Sequence, residues 1–158
     1  MERKQLPEDF KDFIQCLNKN KVKYLLVGGW AVGLYGHPRA TKDIDFFIFI
    51  DDLNLKNIEK ALAEFGAPPI DIEYLRIKGN VVRFGNSPIK IDIINEASGI
   101  NIEDCYSRRK IISVENIEIP VISKADLIIN KKSTGRQSDL GDAEKLEYDG
   151  IKSGDSSK

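Results

Sequence analysis

Two aspartates separated by a single residue, Asp43 and Asp45, open the most apolar stretch of the chain, Asp43-Ile44-Asp45-Phe46-Phe47-Ile48-Phe49-Ile50. On a strand, residues two apart project to the same face, with Cα atoms separated by about 6–7 Å at a rise of roughly 3.3 Å per residue. Both carboxylates then reach one ion. The flanking aromatics partly desolvate the acids, and two like charges so close repel each other unless a cation, or a raised pKa on one of them, relieves the strain. A hard divalent cation such as Mg²⁺ is the natural remedy. The alternative is a pair of solvated acids at a strand end.

Gly28-Gly29 follows the apolar run Tyr24-Leu25-Leu26-Val27 and precedes Trp30, Ala31, Val32 and Leu34 at helical density. Glycine lets backbone amides approach a phosphate, and a helix N-terminus offers unpaired N–H groups and a positive dipole. An ordinary tight turn is the other reading. Cradle and cations together suit a nucleoside triphosphate. A third acid, Asp92, sits among Ile89, Ile91, Ile93 and Ile94, where a lone carboxylate incurs a desolvation penalty unless paired or metal-bound. If residues 89–94 lie beside residues 44–50, three carboxylates converge as in a two-metal site with ions roughly 3.5–4 Å apart. Asp92 is also placed to accept the proton of an attacking hydroxyl. Its alternative is an edge-strand acid facing water.

Composition narrows the remaining chemistry. With 158 residues, 24 Lys plus Arg against 25 Asp plus Glu and a hydrophobic fraction of 41%, the chain fits one globular domain with a real core and no need of disulfide staples. A net charge of -1 disfavours extended duplex binding by phosphate neutralisation. Cys16 and Cys105 stand far apart and His37 is the only histidine, so zinc sites and Ser-His or Cys-His catalysis lack their usual residues. Any metal must be held by oxygen. The charged N-terminus carries no signal core, and no run approaches the roughly 18 apolar residues of a membrane span. The expectation is a cytoplasmic protein with reduced thiols.

These residues need elements to hold them. Phe10, Phe13, Ile14 and Leu17 predict a core-packing helix over residues 8–19, after Pro7. Residues 24–27 read as a strand, then a glycine turn and a helix that Gly36-His37-Pro38-Arg39 breaks; residues 44–50 read as a buried strand. Leu55, Ile58, Leu62 and Phe65 predict a crossover helix over 54–65, ended by Gly66, Pro68 and Pro69. Residues 72–77, 81–85 and 89–94 are strand candidates, and 102–109 a short helix. Residues 111–114 and 117–121 read as a peripheral hairpin across Glu115-Asn116. Ser123-Lys124-Ala125-Asp126 fits a capping pattern that starts a helix interrupted by Gly135. A last helix is expected around 140–146. The organisation is one domain over 1–149 and a disordered polar tail over 150–158.

Gly28-Gly29, thirteen intervening residues, Asp43-Ile44-Asp45 and a later strand with Asp92 resemble the signature of the polymerase-beta-type nucleotidyltransferase superfamily. GGWAVGLYGHPRATKDIDFFI is closer to its small bacterial AbiEii-like branch, of abortive-infection and toxin-like members. Similarity continues through IKIDIIN, EDCYSRR and VISKADLIINKKSTGRQSDLGDAEKL. The GGWAVGLYG stretch is also similar to lincosamide-type antibiotic nucleotidyltransferases. The resemblance implies an α/β (α+β) fold, a mixed sheet with helices packed on it. It implies Asp43 and Asp45 holding two Mg²⁺ ions (or Mn²⁺), Asp92 completing the metal site, and Gly28-Gly29 against the triphosphate. Lys131 and Arg136 match basic positions that neutralise triphosphate or pyrophosphate; the alternative is a solvated basic helix end. Asp139 and Asp142 are expected to orient them by ion pairing. Arg39 and Thr41 match positions that shape the loop over the site or touch nucleotide. His37 reads as a loop residue or a contact to base or acceptor, and Trp30 as core or a stacking platform.

The function implied is transfer of a nucleoside monophosphate from an NTP to a hydroxyl acceptor, with release of pyrophosphate. An RNA 3′ end, a protein side chain or a small antibiotic hydroxyl would serve as acceptor. Many family members carry Gly-Ser where Gly28-Gly29 stands, and Gly29 in place of that serine removes one hydroxyl donor to the phosphate. Catalytic members often append a helical domain for the acceptor, so here the acceptor is expected on this same domain, a dimer partner or another protein. The competing reading is a non-catalytic nucleotide- or partner-binding module of a toxin–antitoxin-type system.

Overall fold

The computed structural model describes residues 6–38 and 41–153, with side chains through residue 149. The first helix, α1 (Glu8–Lys19), buries Phe10, Phe13, Ile14 and Leu17, the stripe that its spacing predicts. Six strands follow in chain order: β1 (Tyr24–Val27), β2 (Asp43–Ile48), β3 (Val81–Phe84), β4 (Lys90–Ile94), β5 (Lys110–Val114) and β6 (Ile117–Val121). They form one sheet in the order β3-β4-β2-β1-β6-β5. It is mixed: β2 runs parallel to β4 and β1 parallel to β6, while β1–β2, β3–β4 and β5–β6 are antiparallel. With α2 (Gly28–Leu34), α3 (Asp52–Phe65), α4 (Ile102–Ser107), α5 (Lys124–Thr134) and α6 (Gln137–Ser153), this is the expected mixed sheet with helices packed on it.

Alternation along β2 divides the molecule. Ile44, Phe46 and Ile48 point to one face, and Asp43, Asp45 and Phe47 to the other. On the first face Phe13 of α1 meets Phe46, Phe65 and Phe84 edge to face, with ring centroids 5.5, 5.2 and 5.3 Å away. This aromatic cluster stabilises the sheet without demanding anything of the acids opposite. Trp30 stacks edge-on against Phe10 and is 5% exposed, so it is a core residue.

Beyond other shifts of one or two residues at element ends, the structure departs from the sequence expectation in four places. Residues 72–77 are not a strand: Ile72–Arg76 form a short 3-10 helix capped by the Asp71 side chain, which accepts from the Glu73 amide. The buried Asn95 amide then donates to the carbonyls of Leu75 and Ile77, taking up backbone groups that a strand would have paired. β2 stops at Ile48 because the Phe49 carbonyl accepts from Asn54 Nδ2. The hairpin expected at the periphery has only β5 on the sheet edge; β6 lies inside the sheet between β1 and β5, with Ile119 and Val121 fully buried. The last helix runs Gln137–Ser153, longer than 140–146, so the tail boundary expected at residue 150 falls within it. The rest of that expected tail, residues 154–158, lies outside the described residues. No helix among the described residues is long and apolar enough to cross a membrane.

Candidate active site

Register brings the acids together. Parallel pairing of β2 with β4 sets Asp45 directly opposite Asp92, and antiparallel pairing of β1 with β2 sets Val27 opposite Asp45. One cross-strand row thus carries Val27, Asp45 and Asp92, and Gly28 follows immediately at the end of β1. Gly28 has φ +74°, the left-handed region that suits glycine, and a Cβ built there would collide with the Asp45 carboxylate. The glycine is required twice over, by conformation and by space.

Asp45 is strongly perturbed by its surroundings. Burial, the charge of Asp92 and a hydrogen bond with it, and the charge of Asp43 raise its pKa to about 7, against a smaller opposing pull from Lys131. Burial beside two other carboxylates thus disfavours the charged form of Asp45, a penalty that a bound cation would relieve. These are hard oxygen donors, the chemistry that suits a divalent ion. As arranged, however, they do not close on one point: among the described residues, no group of three or more His, Cys, Asp or Glu side chains is disposed to hold a metal ion.

Beside these acids stands a basic residue that the sequence reading missed. Arg83 of β3 stands opposite Asp92 in the β3–β4 register. Its Nε and Nη2 donate to the two Asp92 oxygens at 2.7 and 2.9 Å, and Nη2 also reaches Asp43 Oδ2 at 3.2 Å. A signal was present. Val81-Val82-Arg83-Phe84 alternates, and a hairpin closed through residues 85–89 puts Arg83 across from Asp92, a charge-complementary pair.

α5 and α6 wall the carboxylate face of the sheet. Ser123 Oγ caps α5 by accepting from the Asp126 amide at 3.1 Å, and α5 ends at Gly135, as the capping pattern predicts. The resulting turn into α6 holds an ionic cluster. Lys131 Nζ donates to Asp139 Oδ1 at 3.0 Å and lies 3.2 Å from Asp142 Oδ2. Thr134 Oγ1 and Arg136 Nε donate to Asp139 Oδ2 at 2.7 and 2.8 Å. Burial alone would raise Asp139, but the hydrogen bonds from Thr134, Lys131 and Arg136 outweigh it and hold the pKa at about 2. Asp139 and Asp142 thus position the two bases by ion pairing, as expected.

Between sheet and helices opens a cleft of about 460 Å³ lined by Gly28, Gly29, Thr41, Asp43, Asp45, Lys131, Arg136 and Asp139, together with Glu96, Ser98, Asn130 and Thr134. Thr41 Oγ1 lies 3.4 Å from the Asp43 carbonyl, which it faces as a donor. Asp92, in the same cross-strand row as Asp45, is not part of this lining and carries Arg83 on its other side. Arg39 lies outside the described residues. His37 is away from the cleft lining; its Nε2 pairs with Asp149 Oδ2 at 2.5 Å, tying the loop after α2 to α6. A larger cavity of about 710 Å³, lined by Phe10, Phe65, Phe84 and Ile91 with Asp9 and Asp12 at its edge, opens on the other face of the sheet and includes none of the predicted site residues.

Three solved structures share this architecture. One is a nucleotidyltransferase candidate from Thermotoga maritima, 18% identical, with a TM-score of 0.56 over 88% of this chain and 86% of that one. Another is the lincosamide antibiotic adenylyltransferase LnuA in its lincomycin-bound form, 16% identical, with a TM-score of 0.60 over 91% and 98%. An antigenic nucleotidyltransferase-like protein from Paracoccidioides brasiliensis is 15% identical, with a TM-score of 0.55 over 86% and 72%. At these identities the likeness is one of fold. No curated protein sequence matches the chain. The model of the family described as nucleotidyltransferase of unknown function (DUF6036) matches residues 4–148, nearly the whole chain from α1 to α6, and the protein belongs to that nucleotidyltransferase family.

Proposed function

We propose that the protein transfers a nucleoside monophosphate from an NTP to a hydroxyl acceptor and releases pyrophosphate, with Mg²⁺ or Mn²⁺ held by Asp43, Asp45 and Asp92. The observation that carries this reading is the Asp45–Asp92 row beside Gly28, at a cleft walled by Lys131 and Arg136. The bound cation would supply charge neutralisation on the triphosphate and activation of the attacking oxygen. Gly28 and Gly29, without side chains, let the phosphates approach the backbone at the start of α2. Arg136, with a largely exposed side chain anchored on Asp139, is placed to take charge from the leaving pyrophosphate. Lys131, buried between Asp139 and Asp142, sets the potential of the cleft wall behind it. Asp92 accepts the acceptor hydroxyl proton. Thr41, on the cleft lining, shapes the nucleotide's edge of the site, and Arg39 is a further candidate for nucleotide contact.

The fold shared with LnuA supports a small-molecule hydroxyl, such as that of an antibiotic, as the first acceptor class to test. The resemblance to the AbiEii-like branch supports an RNA 3′ end as the second, and a protein side chain completes the set. The retained acids favour turnover over the non-catalytic binding-module reading. The test is NMP transfer from each labelled NTP, with Mg²⁺ or Mn²⁺, onto the three acceptor classes, comparing wild type with Asp45→Asn. Loss of at least about a hundredfold is expected, the low end of what one acid–base or metal-holding group contributes. The variant's melting temperature should not fall, because the substitution removes a charge crowded by Asp92 and Asp43. Equal transfer by the two proteins would sink the reading.

A further inference from the structure

We propose that Arg83 is a built-in counter-cation that competes with a divalent ion for Asp92 and Asp43, so that cation loading requires the guanidinium to release at least one Asp92 oxygen. The inference rests on the nucleotidyltransferase reading of the site and adds to it a residue that governs cation access.

The geometry carries it in three steps. First, both Asp92 oxygens are engaged in a bidentate guanidinium fork, and the same Nη2 extends to Asp43, so one protein cation spans two of the three candidate ligands. An arginine serving only to neutralise buried Asp92 would have no need of Asp43, which is 38% exposed at its side chain. Second, mobility is unequal. The Asp92 side chain is 7% exposed and the Arg83 side chain 55%. The acid is held by the strand and its packing, whereas the guanidinium rehydrates at little cost when it swings outward. Exchange therefore begins with movement of the base, which frees the carboxylate oxygens to adjust around the ion. Third, Asp45 and Asp92 face each other in register, so an Asp92 oxygen released from the fork stands next to the Asp45 carboxylate.

The experiment uses Mn²⁺ alone as probe, on nucleotide-free full-length protein, with bound ion read by electron paramagnetic resonance and stability by thermal melting. Arg83→Gln should bind Mn²⁺ about five- to tenfold more tightly than wild type, the effect of removing a half-exposed competing ion pair worth roughly 1 kcal/mol. Arg83→Lys, which keeps the charge but loses the fork, should fall between them. Without Mn²⁺ the Arg83→Gln protein should melt below wild type, and saturating Mn²⁺ should raise its midpoint more than it raises that of wild type.

Lys90→Gln separates the latch from bulk charge. Lys90 stands opposite Asp43 in the β2–β4 register, and its Nζ donates to the Gly85 carbonyl at 3.2 Å. An equal gain in affinity for Lys90→Gln would overturn the proposal. Unchanged or weaker binding by Arg83→Gln, with binding abolished by Asp45→Asn, would also overturn it while leaving the cation site standing. Absence of Mn²⁺ binding in every protein, wild type included, would overturn both the latch and the metal-dependent reading.

Discussion

Gly28 carries the tightest steric demand in the site, because its positive φ and its contact with Asp45 act on one residue. Gly28→Ala should cost about 1–2 kcal/mol from the left-handed backbone alone and more from the collision. Gly135 provides the comparison: its φ of +73° is nearly the same, and nothing lies within 4 Å of a Cβ built there. Urea denaturation of the two alanine variants should show Gly28→Ala the more destabilised, and the difference isolates the Asp45 contact. A second residue-scale lesson concerns Arg83. An arginine on a short half-exposed strand reads as solvated surface until the hairpin register is known; the structure makes it the partner of the most buried of the three acids.

At the scale of elements, one small cluster holds the cleft's wall and another fixes the far end of β2. The turn from α5 to α6 depends on Asp139, whose folded pKa of about 2 lies below its ordinary value of 3.8. A depressed carboxylate contributes stability that is fully present above its unfolded pKa and is lost as pH falls through the folded one. Between about pH 4 and pH 2 the protein should therefore lose on the order of 2 kcal/mol through this residue. Urea unfolding of wild type and Asp139→Asn across that range checks it: the advantage of wild type should shrink as pH falls. On the opposite edge of β2, Asn54 near the start of α3 is 3% exposed; it accepts from the Lys23 amide and donates to the carbonyls of Lys23 and Phe49. Asn54→Ala leaves those groups without their partner and should destabilise by about 2–4 kcal/mol, seen as a lower urea midpoint with unchanged slope. The same bonds explain why β2 ends at Ile48 although Phe49 and Ile50 continue the apolar run.

At the scale of the molecule, the sheet order β3-β4-β2-β1-β6-β5 places the strands that bear acids side by side near its centre, with aromatic packing on one face and the cleft on the other. Much of this was legible in the sequence. The helical stripe of α1, the Ser123 cap of α5, the strand–glycine–helix unit at Tyr24–Leu34 and the candidate acids Asp43, Asp45 and Asp92 follow from spacing and residue type. Those are local properties, set by backbone periodicity and the conformational preferences of a few residues. The 3-10 helix at Ile72–Arg76 escaped the same reading because it depends on Asn95, about twenty residues away along the chain. The interior position of β6 escaped because parallel pairing with β1 joins segments that are not neighbours in sequence. By itself, then, the sequence determined which residues are available for chemistry and which elements carry them. Only the tertiary structure decided that Asp45 faces Asp92, that Gly28 backs onto Asp45 and that Arg83 clasps Asp92 and Asp43. Register between distant strands is selected by the burial of whole faces, a collective property that no single stretch of sequence contains.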